Sequence, residues 1–399
     1  MLCLPEECRP RGRERTGPRA AAPYNRAAAP ARVRRAVPLA LALARDPLPY
    51  YRLLRTAPGP VPLPGRGVWL AGRYADVAAA LAEPRLVARG HGAAAGNLRC
   101  AGDLSGLGEA VARAAYVLVR RLERRAEADL VTEFCDWLPA VTLVSALGLP
   151  PAETARLQRW CRGGTRGHDG LAEYLGPHLR RTARHAGLAP LSRLTGAGPL
   201  ADREPAVLLG ALLRAAGADT ARGLASLLAA LLDHPAQLLA VREDPGLLPA
   251  AWAESRRRDP PSPLLPLTVT GALPVRLPGG EIPAGATVLC LLGAAGRDPR
   301  RFADPDRFDL FRPDAAPVRP APASGTDADG LGLLQARHGL PPLLAHLPGL
   351  NVAPGFRPRP VGLAHRAPRR LLVRTHARPV GAPGGRPVSP PAPPARSGP

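Results

Sequence analysis

The stretch from Pro205 to Leu232 restricts this chain more than any other. Its only charges are Arg214, Asp219 and Arg222, and apolar residues fall on nearly every side of the helix it would form. A surface helix needs a polar face, so a helix apolar all round has to run through an interior. The three charges leave no run of 18 uncharged apolar residues, so the segment does not read as a membrane span. The expectation is a helical fold wrapped around a buried central helix that His234-Pro235 brings to an end.

Helical periodicity continues on both sides. Asp103 to Ala128 carries apolar positions at three- and four-residue spacing with Arg and Glu between. Asp129 to Leu149 reads as a second helix, kinked at Pro139 and stopped by Pro150-Pro151, and Ala152 to Cys161 begins a third. Ala236 to Arg242 and Leu247 to Arg258 follow the central helix, the last stopped by Asp259-Pro260-Pro261. Strands are few: Gly67 to Ala71, Val275 to Leu277, Thr287 to Cys290 and Leu371 to Arg374. The sequence therefore predicts a mainly α fold with a small β region near each end of one domain, residues 36–376. Residues 1–35 (Arg/Pro/Ala-rich) and 377–399 (Pro/Gly-rich) carry too little apolar surface to offset the entropy of ordering, and are expected to be disordered tails. Residues 1–35 also have the composition that translation from too early a start codon would give.

The net charge of +22 points first to nucleic acid. Yet all the basic residues are Arg and none is Lys, which together with heavy use of Ala, Gly and Pro is the mark of a GC-rich gene. The arginines are scattered and few aromatics lie between them, so no nucleic-acid partner is expected; an acidic protein suits the charge equally well. Cys3, Cys8, Cys100, Cys135, Cys161 and Cys290 show neither a disulfide framework nor zinc-site spacing. Free thiols imply a reducing cytoplasm. Arg32 to Ala44 has the pattern of a signal peptide but lies too far from the N-terminus. A cytoplasmic protein with no membrane partner is the expectation.

No HExxH, GxSxG, strand-linked GxGxxG or P-loop is present. The nine histidines stand singly, as at His234, where a helix end favours a cation. On motifs alone no residue is assigned a catalytic or metal-binding role.

Several stretches, in order, nonetheless resemble bacterial cytochrome P-450 proteins. Gly72 to Leu81 with Glu83-Pro84-Arg85-Leu86 resembles an early helix and its following turn, and Ala128 to Phe134 the start of a later one. Ala216-Gly217-Ala218-Asp219-Thr220 matches the family's oxygen-activating pattern in its long central helix. Glu254 and Arg257 fit its ExxR motif. Ile282 to Gly285, Arg297 to Phe302 and Asp304 to Leu310 match in the expected order. The resemblance implies the P-450 fold over about 280 residues.

The departures are as informative. The family's FGxGxHxCxG loop, which gives haem iron its thiolate, is replaced by Pro320 to Gly330, with Thr326 near the ligand position; no cysteine follows Cys290. The propionate-binding HxxxR is replaced by Leu107 to Val111, and a second propionate arginine by Leu267 to Thr270. The resemblance then implies a P-450 fold lacking the cysteine haem-ligand loop. Ala216, Gly217, Asp219 and Thr220 would be vestigial, and Glu254 with Arg257 a structural ion pair. An open haem slot of several hundred Å3 would cost on the order of 10 kcal/mol at ~24 cal/mol per Å3. The slot is therefore expected to be collapsed or filled by side chains.

The chain is similar in this respect to the P-450-derived proteins that act as activators of a glycosyltransferase in antibiotic biosynthesis. Its ending, Phe356 to Pro360 and then Arg366 to Arg370, is similar in style. That implies an auxiliary protein without cofactor that binds and stabilises a deoxysugar transferase as a hetero-oligomer. Ala36–Leu54 and the Arg113–Arg125 helix face are the candidate docking surfaces, the second reading more simply as a solvated helix face. The alternative is a haem-dependent monooxygenase with an unrecognised ligand, His338 being the nearest histidine. A decayed copy and a haem-free enzyme of unrelated chemistry are the remaining readings.

Overall fold

The computed structural model describes residues 42–88, 105–146, 149–163, 217–315 and 328–376. Both expected tails, residues 36–41 of the first candidate docking segment, the first part of the expected central helix and Thr326 lie outside the described residues.

After a helical turn at residues 42–45, the described residues run through α1 (Leu48–Thr56), the hairpin β1 (Val61–Leu63) and β2 (Val68–Ala71), α2 (Tyr74–Ala82) and β3 (Leu86–Val87). Then come α3 (Ser105–Leu122), β4 (Glu127–Asp129), a π-turn at Val131–Cys135, α4 (Leu138–Ala146) and α5 (Thr154–Gly163). The central helix is α6 (Thr220–Asp233), followed by α7 (Pro235–Glu243), α8 (Leu248–Arg258), β5 (Leu264–Val269), β6 (Val275–Leu277), β7 (Gly280–Ile282), β8 (Thr287–Leu291) and α9 (Leu292–Ala295). The chain closes with α10 (Ala328–His346), β9 (Asn351–Val352), β10 (Pro360–Val361), β11 (Ala367–Pro368) and β12 (Leu372–Arg374).

Two cores result. Helices α3, α6, α7, α8 and α10 share one with the π-turn, around Phe134, Leu227, Leu231, Trp252 and Leu340. The expectation for the central helix holds over its described part: nearly every residue of α6, including Thr220 and Ser226, is buried. The second core lies under a five-stranded sheet of order β1-β2-β8-β5-β3. In it β2 and β8 run parallel, Val68 opposite Thr287 and Ala71 opposite Cys290, so strands from the two ends of the chain are zipped together. At the far end of the helical core, β12 pairs with β4 and β9. Among the described residues no single helix is long and apolar enough to cross a membrane.

Four elements differ from the sequence expectation, each for a physical reason. The first amphipathic helix stops at Leu122, because Glu127 to Asp129 is taken up by pairing with β12. Asp129 to Leu149 is not one kinked helix but a π-turn followed by α4. Pro139 sits in the first turn of α4, where its missing N–H has no partner to lose. β5, which is absent from the expected strands, carries Pro266. β3 pairs only with Thr268 and Val269, so the edge of β5 is open beside Pro266 and no ladder bond is lost. Finally, α10 runs through Pro341 and Pro342.

A buried arginine fixes the turn after α8. Arg297 donates to Asp306 and Asp259, each at 2.7 Å, and to the Arg258 carbonyl at 3.0 Å. Burial works against the charge of both carboxylates, but Arg297 outweighs it and holds each below the usual aspartate range. A carboxyl with a depressed folded pKa stabilises above its unfolded pKa, about 3.9, and loses that contribution as pH falls. Stability in urea is therefore expected to be flat from neutral pH to about pH 5 and to drop below about pH 4. Asp306→Asn should flatten part of that drop; an unchanged acid limb would refute the assignment.

Candidate functional site

The positions singled out by resemblance converge where α6, α8 and α10 meet. Gly217 to Asp219 form a π-turn leading into α6, and Thr220 opens the helix proper; Ala216 lies outside the described residues. Thr220 is buried, and its Oγ1 comes within 3.4 Å of the point a Cβ on Gly332 of α10 would occupy. The buried indole of Trp252 on α8 fills the rest of this junction. Its ring atoms stand 2.6 Å from the Cβ positions of both Gly223 on α6 and Gly332 on α10. Any side chain at either glycine would have to displace the ring, so the two glycines and the tryptophan form one packed unit.

Asp219 is turned away from this junction. It accepts hydrogen bonds from Arg222 at 3.1 Å and from the Ser262 hydroxyl at 3.2 Å, and it lies 3.7 Å from His365 Nδ1. Its carboxylate thereby ties the start of α6 to the segment between α8 and β5, whose Ser262 hydroxyl also meets His365 Nδ1 at 3.3 Å.

Glu254 and Arg257 are both fully buried on α8. Arg257 donates to Glu254 through Nε at 2.6 Å and Nη2 at 2.8 Å, a bidentate pair. The guanidinium also donates to the carbonyls of Gly296, Pro305 and Arg307. Glu254 accepts from the Asp309 amide at 3.0 Å and from Arg312 at 3.4 Å. Gly296 approaches so closely that a Cβ there would lie 2.0 Å from the Arg257 carbonyl. The pair is a staple holding residues 296–312 against α8.

The Cytochrome P450 family model matches residues 242–323, a range that contains this staple. Cytochrome P450 105C1 from Streptomyces sp is 32% identical over 288 residues, 63% of this chain and 73% of that protein. The chain belongs to the cytochrome P450 family. This P450 is also 41% identical over 233 residues to Protein DesVIII from Streptomyces venezuelae; the match spans 56% of this chain and only 55% of DesVIII. The fold agrees with the crystal structure of CYP109E1 from Bacillus megaterium in complex with testosterone, with TM-score 0.72 and 20% identity, covering 83% of this chain and 99% of that one.

P450 proteins normally hold haem, and the residues present do not fit one. Protein ligands to haem iron are Cys, His, Met or Tyr, and none of these occurs between Arg312 and Gly330. Cys135 and Cys290 are buried free thiols; burial pushes Cys135 well up and Cys290 up to about 12, so neither is a ready thiolate. No cluster of His, Cys, Asp or Glu suited to a metal occurs among the described residues. His338 lies ten residues into α10, about 15 Å along it at 1.5 Å per residue. Its ring packs against Gly108 of α3, and burial, with Arg337 beside it, lowers its pKa.

The propionate positions are equally unsuited. On α3, Val111 is buried in the core, and the only charge from Leu107 to Val111 is that of Glu109, which pairs with Arg113. On β5, Leu267 and Val269 are core residues, while Thr268 faces the Thr287 hydroxyl.

Geometry adds a separate objection. A haem held between α6 and α10 would have to separate Thr220 from the start of α10. Van der Waals contact on each face then requires a gap of about 7 Å. Thr220 Oγ1 instead lies only 3.4 Å from the point that a Cβ on Gly332 would occupy, with the Trp252 indole beside it.

Proposed function

We propose that this P450 works without haem, as an auxiliary protein that binds, stabilises and activates a partner glycosyltransferase in natural-product assembly, where a deoxysugar is transferred. The observation that carries the haem-free reading is the close packing of Thr220, Trp252 and Gly332, in a chain with no Cys, His, Met or Tyr between Arg312 and Gly330. A fold built to surround a cofactor and closed without one retains a large surface and no reactive centre; binding another protein is the use left to it. The resemblance of the replaced loop and the C-terminal stretch to glycosyltransferase activators supports this partner class, and the identity to DesVIII agrees with it. The vestigial set Gly217, Asp219 and Thr220 then serves packing and inter-segment hydrogen bonding, and Glu254 with Arg257 serves as a staple. On this reading the protein has no catalytic residues of its own.

The experiment is an absorption spectrum of protein expressed with added haem precursor, reduced and treated with carbon monoxide. Protein absorbance alone is expected. A Soret band with stoichiometric iron would overturn the reading and return the chain to the haem-dependent monooxygenases. Pull-down from the producing cell is expected to recover a glycosyltransferase, and its absence would remove the partner.

A further inference from the structure

The face built by α3 and α10 carries an open groove of about 800 Å3. Its floor is almost wholly apolar: Ala112, Tyr116 and Val117 from α3, Pro341, Pro342 and Ala345 from α10. Tyr116 is 46% exposed and Val117 53% exposed, side by side on a helix whose opposite face is core. Single exposed apolar residues are ordinary, but a contiguous patch with a polar rim marks an interaction site.

The rim supplies the partner's chemistry. Arg113 and Arg337 flank the floor, and Arg120, Arg121, Arg124 and Arg125 extend the same helix end. Arg113, Arg120 and Arg125 have surface carboxylate partners in Glu109, Glu123 and Glu133. Arg121, Arg124 and Arg337 have none among the described residues. A second copy of this chain would set arginine against arginine, a like-charge arrangement that disfavours pairing. Nucleic acid would leave the proline and aliphatic floor without a role, since single strands bind on stacked aromatics along a basic track. A protein bearing carboxylates around a few apolar residues satisfies both floor and rim.

The shape sets the element. A groove between two packed helices accepts a third helix laid along it. Ala112 to Val117 spans about 7.5 Å of helix, room for two or three apolar anchors spaced three or four residues apart. We propose that the α3–α10 groove seats an acidic amphipathic helix of the partner glycosyltransferase, an inference that rests on the function proposed above.

The test places a photo-crosslinking p-benzoylphenylalanine at Tyr116 in the full chain within the producing cell. A second variant carries it at Leu273, which is 69% exposed beside the five-stranded sheet. The Tyr116 position is expected to capture a glycosyltransferase through a segment rich in Asp and Glu. Arg121→Glu with Arg337→Glu, both on exposed side chains, should cut that yield at least tenfold while leaving the melting temperature unchanged. Capture of the glycosyltransferase from Leu273 but not from Tyr116 would overturn the groove and leave the proposed function standing. Capture of a second copy or of nucleic acid at Tyr116 would overturn the occupant. Glycosyltransferase capture from neither position would overturn both readings.

Discussion

Arg257→Ala is expected to lower the unfolding free energy by about 3–5 kcal/mol, the usual loss when one member of a buried ion pair is removed and the other left uncompensated. Set against the 5–15 kcal/mol that holds a typical domain, this takes away a large share of the whole. Glu254 would keep a buried charge with only the Asp309 amide and Arg312 to answer it, the carbonyls of Gly296 and Pro305 would lose their donor, and that of Arg307 would keep only Arg312. The same bonds decide the double variant Glu254→Leu with Arg257→Met. Buried ion pairs can often be replaced by apolar residues at no loss. Here that would orphan the carbonyls of Gly296 and Pro305 and the Asp309 amide, at about 1–3 kcal/mol each where they stay dry, so the double variant should remain strongly destabilised. Urea unfolding measures both. A loss under about 1 kcal/mol for Arg257→Ala would show that the pair is a remnant and not a staple.

That staple was readable in the sequence as Glu254 and Arg257, one helical turn apart before Asp259-Pro260-Pro261. The burial of the central helix was legible too, because an all-apolar helix has only one place to go. Less legible were elements whose stability comes from distant partners. β4 is a three-residue strand of Glu, Ala and Asp with no intrinsic strand tendency; β12, more than 240 residues later, makes it one. The helix α10 was hidden by Pro341-Pro342, which leave the carbonyls of Arg337 and His338 without their intrahelical donors. The helix persists because Leu340, Leu343 and Leu344 on the same turns are buried in the core, and the two prolines lie on its groove side. Those prolines complete the apolar floor between α3 and α10, so that floor was out of reach before the helix was seen. The arginine face of α3 was visible in sequence, whereas the exposure of Tyr116 and Val117 within it was not. That Cys, His, Met and Tyr do not occur between Arg312 and Gly330 can be read from the letters, whereas the packing of Gly223, Trp252 and Gly332 cannot, because no motif connects these three residues.

That packing yields a test in which a substitution changes sign. Trp252→Ala is expected to cost about 3–5 kcal/mol, as for other large aromatic residues deleted from a core, because the ring fills the junction of α6, α8 and α10. Gly332→Ala alone should also destabilise. The added methyl would lie 2.6 Å from the indole and 3.4 Å from the Thr220 hydroxyl, and overpacking of this kind costs about 1–3 kcal/mol. Alanine's advantage over glycine inside a helix, about 1 kcal/mol, offsets only part of that. In the Trp252→Ala background the obstruction is gone, so Gly332→Ala should become stabilising, through helix propensity and the volume it fills. Residues in contact couple by 0.5–3 kcal/mol in such cycles, and a reversal of sign lies within that range. Additive effects across the cycle would mean that the indole does not stand between the two helices, and the objection to haem would then rest on the missing ligand alone. The reversal, together with the absence of a Soret band in the Trp252→Ala protein, would separate the two losses. Reopening the junction does not restore an iron ligand, so the haem-free state would follow from the loop as well as from the packing.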